Sequence, residues 1–288
     1  MNMRDYAGST PYTSDELAAF ASSDIEVQIS AVRSLGCELA AFLVYVCQTL
    51  GIPARTVRDG KAYGGLAFLT WSMSTMGLLS IFGDSMTLDE AQKAVLQPYL
   101  RTAFAYDPPA LLYGVDPDVG MLTPLNDPTI PDGDKGAAIG GWVSGYYTAV
   151  PDIAHITPEN LRARREERPP ALHMMAPDEY ERIVEPDNLL RSCAAMLQVP
   201  QSVRTSHFRR TFLEADTVLP DVKVVALWCD RSVWMLVWSA KVLHELLQEQ
   251  SGLGQRKRNA SLIKIGNANH VYQWDDPERM VQILRENI

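Results

Sequence analysis

The run Gly64-Gly65-Leu66-Ala67-Phe68-Leu69-Thr70-Trp71-Ser72-Met73-Ser74-Thr75-Met76-Gly77-Leu78-Leu79 constrains the fold more than any other part of the chain. It is apolar for the length of a strand, breaks at Thr70-Trp71-Ser72, and continues at once in small, helix-compatible residues. A strand that turns directly into a helix, with a serine at the corner, has the layout of a nucleophile elbow. The tight turn lifts the hydroxyl out of the sheet. The helix that starts there aims its first backbone N–H groups at any negative charge developing nearby. Such an elbow is written G-x-S-x-G; here Thr70 and Ser74 occupy the two glycine positions, and both are small. The pattern predicts a strand over Leu66–Thr70 and a helix over Met73–Gly83.

The segments on either side fit an alternation of strands and helices. Ser14-Asp15-Glu16 offers capping chemistry for a short helix, Glu16–Phe20. Ile29, Val32, Leu35, Leu39, Phe42, Leu43, Val46 and Leu50 recur at helical spacing, which predicts a helix from Ile25 to Leu50, stopped by Gly51-Ile52-Pro53. Arg55–Tyr63 reads as a polar connector, Leu88–Arg101 as an amphipathic helix, and Thr102–Tyr106 as a strand ended by Asp107-Pro108-Pro109. Val222–Trp228 and Ser261–Ile265 are the remaining strands. The helix Val233–Glu249 lies between them, and Asp276-Pro277-Glu278 opens the last helix. Short unbroken apolar strands alternating with helices imply an α/β fold, a mostly parallel sheet flanked by helices.

Between Gly114 and Thr217 the composition changes. Eleven prolines, from Pro117 to Pro200, punctuate short helical pieces, with starts at Thr157-Pro158-Glu159 and Pro177-Asp178-Glu179. Residues 114–217 therefore read as an inserted helical cap, and residues 1–113 and 218–288 as the core.

The net charge of −9 argues against nucleic acid or an anionic membrane as partner. The short basic cluster Arg256-Lys257-Arg258 reads as a solvated loop. Cys37, Cys47, Cys193 and Cys229 have no paired spacing and read as buried reduced thiols. His155, His173, His207 and His244 show no ligand spacing, so neither a metal nor a cofactor is expected. Met1 is followed by Asn2, Arg4 and Asp5 rather than an apolar leader, and no uninterrupted apolar run reaches about 18 residues. A soluble cytoplasmic protein with no transmembrane segment is the expectation.

In parallel sheets the reactive side chains sit in loops at the carboxyl ends of strands. Three such ends carry them here: Ser72, then Asp107 or Asp230, then His270. A serine hydroxyl needs a base to take its proton. A histidine can do that, and a carboxylate fixes its tautomer and stabilises the imidazolium. Each group also has a structural reading. Ser72 could be a small turn residue, His270 a loop histidine, Asp107 and Asp230 turn formers or caps, and Arg4 and Asp5 loop anchors. Trp71 and Met73 flank the serine, where Trp71 would line a substrate pocket.

The order Ser72…Asp…His270, the segment Leu227-Trp228-Cys229-Asp230-Arg231-Ser232 and the run Asn269-His270-Val271-Tyr272-Gln273-Trp274-Asp275-Asp276-Pro277-Glu278 together resemble the α/β-hydrolase superfamily. Asn2-Met3-Arg4-Asp5-Tyr6-Ala7-Gly8-Ser9-Thr10 resembles the loop after that family's fourth strand, which makes this an N-terminally shortened version of the fold. The resemblance is to capped, esterase-like or lipase-like members. It implies a serine-dependent hydrolase acting on a carboxylic ester or a related small apolar carbonyl compound. Ser72 would be nucleophile, His270 base, and the backbone N–H of Met73 an oxyanion donor. The family's second donor has no counterpart segment here. The usual acid position falls on Ser232, leaving Asp107 or Asp230 as the orienting carboxylate, with Asp107 favoured by its two following prolines. The alternative is a non-catalytic or truncated member that binds rather than turns over, self-associating through an open sheet edge. Lyase or acyl-transfer chemistry with the same residues is a third reading.

Overall fold

A computed structural model describes the chain except for residues 116–120, 163–165, 186–187, 215–217 and 252–256. Pro117, Pro186, Thr217 and Arg256, which fall in segments named above, lie outside the described residues.

The central sheet has four parallel strands in the order β3 (Leu66–Trp71), β4 (Leu100–Tyr106), β5 (Lys223–Cys229) and β6 (Ala260–Ile265). The register pairs Trp71 with Tyr106, Tyr106 with Leu227, and Cys229 with Ile265. All four carboxyl ends thus meet along one rim. Side chains alternate across the sheet. Ala103, Ala105, Val224 and Ala226 face one layer, and Phe104, Tyr106, Val225 and Leu227 face the other. Met280 and Ile283, from the helix Pro277–Asn287, cover the second face. The first face is covered by α3 (Thr75–Gly83) and the helix Trp234–Ser251, with α2 (Ile25–Thr49) and the helix Gln201–Phe212 packed on α3 in turn. The expected α/β sheet, with helices on both faces, is what the chain forms.

Every residue of α3 is buried. Close helix crossings make this room. A Cβ on Gly36 of α2 would come within 2.5 Å of Ser80 Oγ, and a Cβ on Gly83 within 2.5 Å of the His207 Cα. The second contact is backbone and cannot yield cheaply. Length and apolar composition alone would let α2 cross a membrane. Here its Val32, Leu35, Ala40 and Leu43 belong to the core.

Several expectations are corrected. Arg55–Tyr63 is not a plain connector but an antiparallel hairpin, β1 (Thr56–Arg58) with β2 (Lys61–Tyr63). Asp59 and Gly60 at its tip have φ of 51° and 72°, the conformation an Asp-Gly hairpin turn requires. The helix expected over Leu88–Arg101 is α4 (Glu90–Leu96), and β4 begins already at Leu100. Pro98 lies between them and cannot continue a helix. The first helix, α1, runs Ser14–Phe20, capped by Thr13 with Glu16 in a reciprocal capping box. Met1–Pro11 forms turns, with no strand leading into them. Cys47, Cys193 and Cys229 are buried, whereas Cys37 is partly exposed, and all four are free. In the basic cluster Arg258 is buried. It donates to the carbonyls of Val218 and Leu219 at 2.9 and 2.8 Å and lies over the Phe82 ring.

The segment expected as one cap is divided. Val150, Ile153, Ile156 and Leu161 pack on Trp228, Trp234, Val237 and Ala240 above the β5 end. The helix Gln201–Phe212, by contrast, lies in the main core through Val203, Phe208 and Phe212, with Phe208 stacked on Tyr113. It belongs with the helices that flank the sheet, because its apolar side chains have α3 to pack on.

The N-terminal turns are tied down by Arg4. It bonds Glu16 at 2.6 and 2.8 Å, Glu38 at 2.9 Å and the Pro11 carbonyl at 2.8 Å. Asp5 accepts the Tyr12 N–H at 2.9 Å and pairs with Arg191. Arg4 and the Thr13 cap hold the Glu16 carboxyl down to about 2 from 4.5. A lowered carboxyl stabilises the fold above its unfolded value, and the contribution is lost as pH falls through the folded one. An NMR titration should find Glu16 still ionised near pH 3, and Arg4→Ala should move it up towards the ordinary range, with the Thr13 cap keeping part of the lowering. Gly83→Ala should destabilise the fold by about 1–3 kcal/mol in chemical denaturation, since the added methyl meets the His207 backbone.

Candidate active site

Ser72 sits where β3 ends, with φ of 55°. A non-glycine residue in this left-handed region carries roughly 1–3 kcal/mol of strain, which its surroundings must hold. They do so on both sides. Ser74 Oγ accepts the Trp71 N–H and donates to the Trp71 carbonyl, each at 2.7 Å. Thr70 Oγ1 donates to the Phe104 carbonyl at 3.2 Å and to Thr75 Oγ1 at 3.4 Å. Thr70 and Ser74, the residues at the two glycine positions, are thus the clamps of the corner. A helical turn, Ser72–Ser74, starts there and leads into α3. Met73 lies in that turn, among the N–H groups that helix geometry leaves without an intrahelical partner.

Asp107, one residue past β4, also has a left-handed backbone, φ 47°, and is fully buried. Its own N–H donates to the Leu227 carbonyl at 2.7 Å. Its carboxylate accepts the Cys229 N–H on Oδ1 at 3.1 Å and the Ser232 hydroxyl on Oδ2 at 2.5 Å. Oδ2 also lies 2.9 Å from His270 Nδ1. That contact puts the proton of a neutral imidazole on Nδ1 and leaves the Nε2 lone pair as an acceptor.

His270 is buried and follows β6 through a short loop. Trp71, the residue before Ser72, donates its indole N–H to the His270 carbonyl at 2.9 Å, and the two rings lie 5.0 Å apart. The indole expected as pocket lining is thus engaged by the histidine. Asn269 donates to the Ser144 carbonyl at 2.8 Å, joining the histidine loop to the segment above the sheet.

Of the two candidate carboxylates, the fold brings Asp107 to His270. Asp230 instead accepts the backbone N–H groups of Ala268 and Asn267, and burial pushes its carboxyl above the ordinary range. It links the end of β5 to the loop after β6. Ser232, which the sequence reading assigned no donor role, bonds Asp107. The signal for it was its position three residues beyond the last residue of β5. Burial pushes the thiol of Cys229 and the hydroxyl of Tyr106 well up, so both stay neutral beside the carboxylate. Among the described residues no three His, Cys, Asp or Glu side chains gather as a metal set would.

A groove of about 640 Å³ meets the corner at Met73 and Ser74. Leu39, Phe42 and Leu43 of α2, Phe68 and Leu69 of β3, and Met76 of α3 line it.

No protein-family model matches the chain, and no curated protein matches it. Among solved structures, one titled "Est816 as an N-Acyl homoserine lactone degrading enzyme" is similar over 88% of this chain and 74% of its own. Identity is 16% and the TM-score 0.37, a coarse likeness.

Ser72→Gly should relieve the strained backbone. It is expected to raise stability by about 1 kcal/mol, while Ser72→Val should lower it by at least as much. Thermal unfolding of the two variants checks the sign, which is the opposite of that for an ordinary exposed turn.

Proposed function

We propose that the chain is a serine-dependent hydrolase of a carboxylic ester or a related small apolar carbonyl compound. The carrying observation is the Asp107–His270 pair at 2.9 Å, linked through Trp71 to a serine at a strained strand-to-helix corner. Strain that several hydrogen bonds hold in place is characteristic of functional corners.

In this reading Ser72 Oγ attacks the carbonyl carbon, and His270 Nε2 takes the hydroxyl proton. Asp107 stabilises the imidazolium without accepting the proton. The oxyanion that forms faces the start of the helical turn, where the Met73 N–H supplies one donor. His270 then returns the proton to the leaving oxygen, and the acyl group stays on Ser72. Water attacks the acyl-enzyme with His270 as base, releasing the acid. One oxyanion donor is worth roughly a hundredfold or more in rate. The apolar groove beside Met73 suits the hydrocarbon part of an acyl group. The segment from Trp142 to Ala171, hydrogen-bonded to the rim through Ser144, Tyr147 and Val150, would act as the cap.

A second reading is a binding module on the same fold. The position of β3 at the sheet edge favours it. An edge strand exposes backbone groups that another chain can pair with, and Leu69 and Trp71 remain partly exposed on it.

A fluorophosphonate probe separates the two. Labelling at Ser72, at a rate cut by about 10³–10⁴ in Asp107→Asn and unchanged in Asp230→Asn, supports the hydrolase. Absence of label under conditions that label a control esterase leaves the binding module.

A further inference from the structure

Asp107 presents a buried carboxylate to His270, and the aim of that carboxylate is set elsewhere. A carboxyl group turns easily about its last side-chain bond, because that torsion is broad. Here the end of β5 grips it at two points. The Cys229 N–H takes Oδ1 at 3.1 Å, and the Ser232 hydroxyl takes Oδ2 at 2.5 Å. Ser232 is fully buried, and its own N–H donates to the Cys229 carbonyl at 3.2 Å, so the turn that carries the hydroxyl is closed on itself. With one donor fixed on each oxygen, the remaining direction on Oδ2 points at Nδ1 of His270 at 2.9 Å. Hydrogen bonds to a charged acceptor are about twice as strong as neutral ones, so this grip is the firm one.

We propose that Ser232 is a positioning residue. It fixes the rotation of Asp107 and thereby the tautomer and orientation of His270, without touching substrate. The proposal rests on the hydrolase reading of Ser72, His270 and Asp107. The groups facing Asp107 from the packed elements are Tyr106, Tyr113, Cys229, Ser232 and His270, with the Asp230 carboxylate one residue beyond Cys229.

Two variants test it. Ser232→Ala removes the hydroxyl and leaves Oδ2 with only the imidazole. The expected result is a fall in kcat of about ten- to hundredfold with KM nearly unchanged, as for loss of a hydrogen bond to a charged group. The hydroxyl competes for the charge on Oδ2, so its loss should also move the downfield Nδ1–H proton resonance of His270, assigned by its absence in His270→Gln. Ser232→Cys keeps the shape with a weaker donor and should move that resonance part of the way, which serves if the alanine variant does not fold. An unchanged kcat and an unmoved His270 resonance in Ser232→Ala overturn the proposal. A wild type that fails to label with the fluorophosphonate overturns the hydrolase reading instead, and the His270 resonance of Ser232→Ala still reports on the contact in that case.

Discussion

A carboxylate with no exposed surface has to be surrounded by donors, or it will not stay ionised. Removing a partner from a buried charge of this kind typically costs about 3–5 kcal/mol. At Asp107 the donors come from two pieces of chain: the end of β5 with the turn after it, and the loop after β6. Because all of them converge on one group, the carboxyl ends of β4, β5 and β6 cannot slide past one another without stranding the charge. The parallel register and the site are therefore held by the same bonds.

The two left-handed corners, at Ser72 and Asp107, end adjacent strands paired through Trp71 and Tyr106. Each corner turns its side chain away from the direction that strand alternation would impose. Trp71 joins the two sides, since its indole bonds the loop whose histidine Asp107 holds. The histidine is gripped from both ends, its ring nitrogen by β4 and its carbonyl by β3.

Much of this was legible in the chain. The parallel strands show as unbroken apolar runs closed by Ser72, Asp107 or Cys229-Asp230, because a strand buried on both faces has no room for polar residues until it ends. The choice between Asp107 and Asp230 was legible only as a preference, from the two prolines after Asp107, since both end apolar strands and the turn geometry decides which carboxylate faces His270. Pro98 and Asp59-Gly60 carried readable signals, a helix stop and a hairpin turn, that apolar periodicity alone passes over. The helix Gln201–Phe212 was hidden for a different reason. Its polar sequence, with five Arg, His and Gln residues, resembles a solvated piece of the insertion. Only the fold shows that Val203, Phe208 and Phe212 are buried in the core, the two phenylalanines against Tyr113. Arg258 belongs to the same kind of case, because charge runs look solvated until a partner such as the Val218 and Leu219 carbonyls is seen.

Among the described residues, the strand that carries the serine is paired on one flank, with β4. Its corner is mounted on a single ladder and braced by its own two clamps, the hydroxyls of Thr70 and Ser74. The histidine and carboxylate are instead bonded to the ends of three strands at once. In mechanical terms the pair is a keystone shared along the rim, whereas the serine corner is a bracket that carries its own load.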